Sequence, residues 1–260
     1  MPPRAASFYC HIAAALTVAA AAAADLPPSP FPPASADGVV VRSRLLEPLL
    51  PATVAKAAAA ANTAKALQSK LLSNGSWPDV PYANQDRGNW LATAHLARAR
   101  SMAVAVRSPL SPLVNSSSLL SSVNAALGYW LEHNFRNPNW YWNEIGVPQL
   151  LCDTLLLLEG RGLGSSDVQL ALSSVGQAQM STCDGSCGGA NVADMSTITL
   201  QLGLVTGNES LAQSALSRLY ANLAVFPQAG EGLQTDFSFH QVRPQPIRCT
   251  SDSAPISSAF

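Results

Sequence analysis

Between Val39 and about Phe226 the sequence is a succession of helix-length stretches, each closed by proline or glycine, with almost no alternation of apolar and polar residues. A half-buried strand needs that alternation, whereas a helix needs apolar positions three and four apart. The chain supplies the second pattern. Residues 54–72 are rich in Ala, Lys and Leu, all strong helix formers, and Gly75, Trp77 and Pro78 break the stretch. Residues 84–106 place Trp90, Ala94, Leu96 and Ala97 on one stripe, with Arg98 and Arg100 elsewhere, before Pro109 and Pro112. Residues 117–135 carry Leu119, Leu120, Val123, Leu127 and Trp130 at helical spacing, before Pro138. Residues 145–159 are strongly apolar and stop at Gly160. Ser165, Ser166 and Asp167 offer N-caps for a helix to about Met180. Residues 191–204 read as helix closed by Gly207, and Asn208 or Ser210 starts a last helix to about Phe226. Helices of roughly 15–20 residues on short loops stack as antiparallel hairpins, so the expected fold is all-α. No fixed-period repeat is present, which argues against a short-period solenoid.

The ends differ in character. Residues 1–24 read as a secretory signal peptide: Arg4 is the basic start, an apolar run extends from Ile12 to Ala24, and Ala22 and Ala24 fit a small-residue cleavage site. The run is short for a bilayer span and lacks a basic flank, so no membrane span is expected. A transit peptide fits less well, since those are richer in Arg and Ser. Residues 25–38 form a Pro/Ala-rich linker, 39–241 the helical domain, and 242–260 an irregular Pro/Ser/Arg-rich tail. The expected location is extracellular. Cys183 and Cys187 flank Asp184-Gly185-Ser186, and a local disulfide suits an oxidising compartment. A metal site fits less well, because no His or second close Cys pair lies nearby. Charged residues are only 12% of the chain and the net charge is -1. With no basic run to track phosphates, nucleic acid is excluded as a partner.

Three clusters carry candidate chemistry. In the first, Asn139, Trp140, Tyr141, Trp142 and Asn143 precede Glu144-Ile145-Gly146-Val147-Pro148. Three adjacent aromatics in a loop between helices favour partial exposure, and flat rings with neighbouring amides suit sugar binding. A tryptophan plugging a helix joint is the structural alternative. In the second, Gly188-Gly189-Ala190 leads into a helix whose first turn carries Asn191. Glycines there admit a ligand to the backbone and a helix start favours a negative group, although an N-cap Asn would look the same. The third, residues 230–241, is a polar loop containing Asp236 and His240 that otherwise reads as a surface turn.

Taken in order, Asn-Trp-aromatic before Glu-Ile-Gly-Val-Pro, then Gly-Ala-Asn, then Asp-aromatic-Ser-Phe-His-Gln, the clusters resemble the N-terminal helical domain of polysaccharide lyase family 8. The resemblance implies an incomplete α/α toroid of antiparallel helical hairpins. It implies β-elimination on an acidic, uronate-containing polysaccharide, with no metal or other cofactor and a monomeric protein. It assigns Asn191 to neutralising the substrate carboxylate, and Asn139, Trp140 and Tyr141 to guiding the polymer. His240 matches the first His of the family's third motif, not its catalytic His, whose position is Val242 here. The expected catalytic Tyr falls near Ser251. Catalytic incompleteness is therefore expected, and a non-catalytic carbohydrate-binding domain is the alternative. A glycoside-hydrolase-like toroid would need paired carboxylates, for which Glu144, Glu231 and Asp236 are candidates that nothing in the sequence pairs.

Overall fold

The computed structural model describes residues 35–163, 165–176, 189–225 and 232–240, with backbone alone for 165–167 and 240. The expected signal peptide, most of the expected linker, the pair Cys183 and Cys187, Glu231 and the 242–260 tail lie outside the described residues.

Side-chain caps set where several helices begin. α1 (Ala36–Leu46) opens at Ser35, α2 (Val54–Ser69) at Thr53, and α4 (Ser117–His133) at Ser116. α8 (Glu209–Asn222) opens at Asn208, whose Oδ1 accepts the Leu211 N–H at 3.0 Å. Each cap satisfies an amide that has no partner inside its own helix. The remaining helices are α3 (Ala94–Arg107), α5 (Val147–Leu158), α6 (Ser165–Val175) and α7 (Gly189–Thr206).

The helix expected over 84–106 begins only at Ala94, behind a 3₁₀ turn at Leu91–Thr93. Asn84 Oδ1 accepts the Asp86 and Leu91 amides at 3.3 and 3.2 Å, and Asp86 Oδ1 accepts those of Gly88 and Asn89 at 2.7 Å each. These bonds offer the backbone a competing local structure. The buried stripe of α3 is Leu96, Ala99, Met102, Ala103 and Val106, with Ala94 and Ala97 only partly buried.

Two layers follow from which helices touch. α3 packs on α5 and α5 on α7, while α2 packs on α4 and α4 on α6. Each row consists of alternate helices in chain order, as an α/α toroid requires of its inner and outer layers. α1 closes onto α5 and α7. The middle inner helix shows its place by burial: ten of the twelve residues of α5 are buried, so it has no solvent face. One of them is Asp153, which accepts a bond from Arg100 Nη1 of α3 at 2.7 Å and from Gln201 Nε2 of α7 at 3.1 Å. Burial raises the Asp153 pKa, and the two donors pull against that rise. α8 lies close on α7, because a Cβ at Gly203 would come within 2.7 Å of the Ala212 amide nitrogen. A short hairpin, β1 (Gly232–Leu233) with β2 (Phe239–His240), ends the described chain, and β1 packs on α7. No helix among the described residues is long and apolar enough to cross a membrane.

A second buried polar group stands in the aromatic core between α3 and α4. His95 is 0% exposed, with Nε2 at 2.7 Å from the Ala126 carbonyl and Nδ1 at 2.9 Å from the Tyr82 hydroxyl. The carbonyl can only accept, so Nε2 carries the proton, and Nδ1 of the neutral ring accepts from the Tyr82 hydroxyl, which itself accepts the Trp77 amide. Neutral imidazole satisfies every partner. Burial foremost, with Arg98 and His133 nearby, lowers the His95 pKa from 6.5 to about 4. The unfolded chain then binds the proton more readily, so stability is full above pH 6.5, falls as pH drops to about 4 and levels below. That span corresponds to about 3 kcal/mol. Urea unfolding at a series of pH values should show the loss, and His95→Gln should remove that component of it. Equal pH slopes in the two proteins would refute the assignment.

Candidate functional site

The first two clusters meet where α7 packs on the turn that precedes α5, and the third packs on α7 through β1. The first was expected in a loop, but Trp140 and Tyr141 are helical and run directly into α5 through a π turn at Trp142–Gly146. Pro148 explains the wide turn. It lacks the N–H that would bond the Glu144 carbonyl, and its ring would crowd that carbonyl in a regular α-helix. Gly146 permits the result: a Cβ there would lie 2.7 Å from Cε3 of the Trp142 ring.

Asparagines hold the turn in place. Asn139 Oδ1 accepts the Tyr141 amide at 3.1 Å as an N-cap, and its Nδ2 donates to the Arg87 carbonyl at 2.8 Å. Trp142 Nε1 donates to the same carbonyl at 3.1 Å. Buried Asn137 donates through Nδ2 to the Asp86 carbonyl at 3.0 Å, and Asn143 Nδ2 donates to the Asn137 carbonyl at 2.7 Å. The 84–90 loop and the aromatic turn are thus one unit. The roles of Asn137 and Asn143 were not evident in the sequence, because their partners lie in backbone up to 51 residues away.

The aromatics form a file from solvent to core. Trp140 is 43% exposed and edge-on to Tyr141 at 6.4 Å, and Tyr141 is edge-on to Trp142 at 5.4 Å. Trp142 meets buried Trp90 at 6.4 Å, and Trp90 meets buried Trp130 at 5.7 Å.

α7 faces this file, packing on the π turn. Asn191, in its first turn, is partly buried and its amide makes no hydrogen bond among the described residues. Asp194 stands one turn on, on the same face. Its half-buried carboxyl also has no hydrogen-bond partner among the described residues, and burial raises its pKa. Burial, then the Asp194 charge, raises the Tyr141 pKa, so the two groups are neighbours. Asp194, three residues beyond Asn191, had no role in the sequence reading. Asn222 Nδ2 of α8 fixes the start of α7 through the Gly189 carbonyl at 3.1 Å.

The third cluster is a tight hairpin. Asp236 Oδ1 accepts the Ser238 amide and hydroxyl at 2.9 and 2.7 Å, and Gly232 pairs with His240. The His240 side chain, Cys183, Cys187, Val242 and Ser251 lie outside the described residues. Cys152 is a free, buried thiol whose pKa burial pushes up.

A two-layer helical toroid with an aromatic file opposite unbonded polar groups is the class defined by this architecture. The sequence profile of the polysaccharide lyase family 8 N-terminal alpha-helical domain matches residues 47–250, and the chain belongs to that family. It is 29% identical over 182 residues to a Chondroitinase-AC of Pedobacter heparinus, covering 67% of this chain and 25% of that protein. Among solved structures, a chondroitinase AC lyase superposes with a TM-score of 0.68 at 24% identity, over 78% of this chain and 29% of the other. The Streptomyces coelicolor A3 chondroitin AC lyase gives 0.67 at 21%, over 80% and 30%. A Paenibacillus xanthan lyase gives 0.63 at 20%, over 80% and 21%. The chain thus spans about a quarter of the curated relative's length.

An ionised, half-buried Asp194 without a donor costs stability. Its raised pKa means that the cost sets in as pH rises above the usual 3.8. Asp194→Asn should therefore melt above wild type at pH 7, with the gap closing as pH falls toward 3.8. A lower melting temperature for the variant at pH 7 would show that the carboxylate is structurally satisfied.

Proposed function

We propose that this chain forms the substrate-holding half of a polysaccharide lyase cleft that takes an acidic, uronate-containing polysaccharide. The observation that carries the reading is Asn191, its amide unbonded, on the α7 face that meets the aromatic turn. Family membership and the likeness to proteins named as chondroitin and xanthan lyases support it.

In β-elimination a base removes the proton at C5 and an acid protonates the leaving O4. The C5 proton is poorly acidic while the neighbouring carboxylate keeps its charge. Asn191 can donate its amide hydrogens to that carboxylate and stabilise the enolate-like charge that develops. Exposed Trp140 offers an apolar face to a sugar ring, and Tyr141 flanks it. Asn139, its amide committed to the Tyr141 N–H and the Arg87 carbonyl, acts as a positioning residue for both rings. The positions that match the family's proton-transfer His and Tyr are Val242 and Ser251, so elimination by this chain is expected to be weak or absent. We further infer secretion, from Arg4 and the apolar run to Ala24, and a monomer that works without a cofactor.

Calorimetric binding of chondroitin sulphate and xanthan oligosaccharides, with ultraviolet detection of unsaturated uronate, tests the reading. Trp140→Ala should weaken binding about tenfold, from roughly 1–2 kcal/mol of lost apolar contact. Asn191→Ala should weaken uronate-bearing ligands while leaving neutral oligosaccharides unaffected. Binding that Asn191→Ala leaves intact for every ligand would favour a carbohydrate-binding domain without lyase character. Robust turnover by this chain would refute the expected loss of activity.

A further inference from the structure

A separate cavity, walled by apolar and charged side chains, lies at the other end of α5. It has a volume of about 670 Å³ and opens between α1, the C-terminal end of α3 and the turn after α5. The twelve residues of α5 span about 18 Å, and the aromatic turn precedes the opposite end, so the two sites are separate. Arg42, Arg107 and Arg161 line the cavity together with Glu47 and Glu159.

The carboxylates are already engaged. Arg42, 7% exposed, donates one Nη to the Glu159 carboxylate and the other to the Leu204 carbonyl. Glu47, at the rim, meets Arg44 at 3.4 Å. That leaves two guanidinium groups without a carboxylate of their own. Arg107 donates to the Glu159 backbone carbonyl at 3.2 Å. Arg161 follows Gly160, whose φ of +70° turns the chain sharply, and its side chain makes no hydrogen bond among the described residues. Burial and the nearby Arg107 charge lower the Arg161 pKa to about 10, and burial lowers that of Arg107 although the Glu159 charge nearby pulls the other way. Neighbouring half-buried cations cost free energy that an anion between them would offset. Guanidinium forks match oxyanions in planar, two-point contacts. The volume falls in the ~300–1,000 Å³ range of small-ligand sites, and Leu46, Leu50 and Pro109 give it an apolar wall.

We propose that this cavity binds an oxyanion group (sulfate, phosphate or carboxylate) through Arg107 and Arg161, with Arg42 and Glu159 as its fixed frame. The group arrives either as a free ion or on a small sugar, and it binds independently of the aromatic cleft.

Thermal melting of the full chain tests this with sodium sulfate against sodium chloride at matched ionic strength, and with a sulfated disaccharide against its unsulfated counterpart. A saturable rise in Tm is expected in at least one oxyanion arm. A response to inorganic sulfate assigns the free ion, and a response confined to the sulfated disaccharide assigns the sugar-borne group. Arg161→Gln and Arg107→Gln should each lose the response, while Arg218→Gln, an exposed control on α8 away from the cavity, should keep it. Equal shifts in sulfate and chloride with no disaccharide effect would overturn the proposal. So would an undiminished response in Arg161→Gln.

Discussion

Asp153 sits in the middle helix of the inner row and is bonded on both sides, by Arg100 of α3 and Gln201 of α7. A buried carboxylate that loses a partner costs about 3–5 kcal/mol, so the pairing discriminates strongly among the ways three apolar helices could meet. Leucine contacts alone tolerate rotation and sliding. A charge that must face two donors on opposite sides does not. Because α5 is buried all round, fixing its rotation also fixes what stands at its two ends: the aromatic turn at one and the arginine cavity at the other.

The candidate cleft depends on that register and on a local fault in the helix. Pro148 removes one hydrogen bond near the start of α5, the turn widens, and Trp142 settles against Gly146. The widened turn carries Trp140 and Tyr141 outward instead of leaving them in a connecting loop. α7, held by Gln201 in its body and by Asn222 at its start, brings Asn191 and Asp194 to the same place. Asn191 and Asp194 make no hydrogen bond among the described residues, while Asn137, Asn139 and Asn143 of the aromatic turn are bonded.

Much of the fold was legible in the sequence because its signals are local. Asn208 caps the last helix as its side chain suggests, and the apolar stripe of α4 lies where its spacing puts it. The failures came where side chains act at a distance or against the backbone. The stripe that starts at Trp90 suggested a helix reaching back to Asn84, yet Asn84 and Asp86 take the amides a helix would use. The aromatic cluster was legible as partly exposed but not as helical, since a π turn has no sequence period of its own. Asn191 stood out only beside the other clusters. Asp194 needed the structure, because its neighbour Tyr141 is 53 residues away in the chain. Arg42, Arg107 and Arg161 are likewise unremarkable until α1, α3 and the turn after α5 converge.

The central claim is that the inner row brings the aromatic turn and the start of α7 to one ligand. An NMR titration with a uronate-containing oligosaccharide tests it directly, using the five tryptophan indole signals and the Asn191 side-chain amide. The Trp140 indole and the Asn191 amide should shift together, at one midpoint, while the indoles of buried Trp77, Trp90 and Trp130 stay fixed. Movement of Trp140 with a silent Asn191, or two separate midpoints, would mean that the clusters do not form one site.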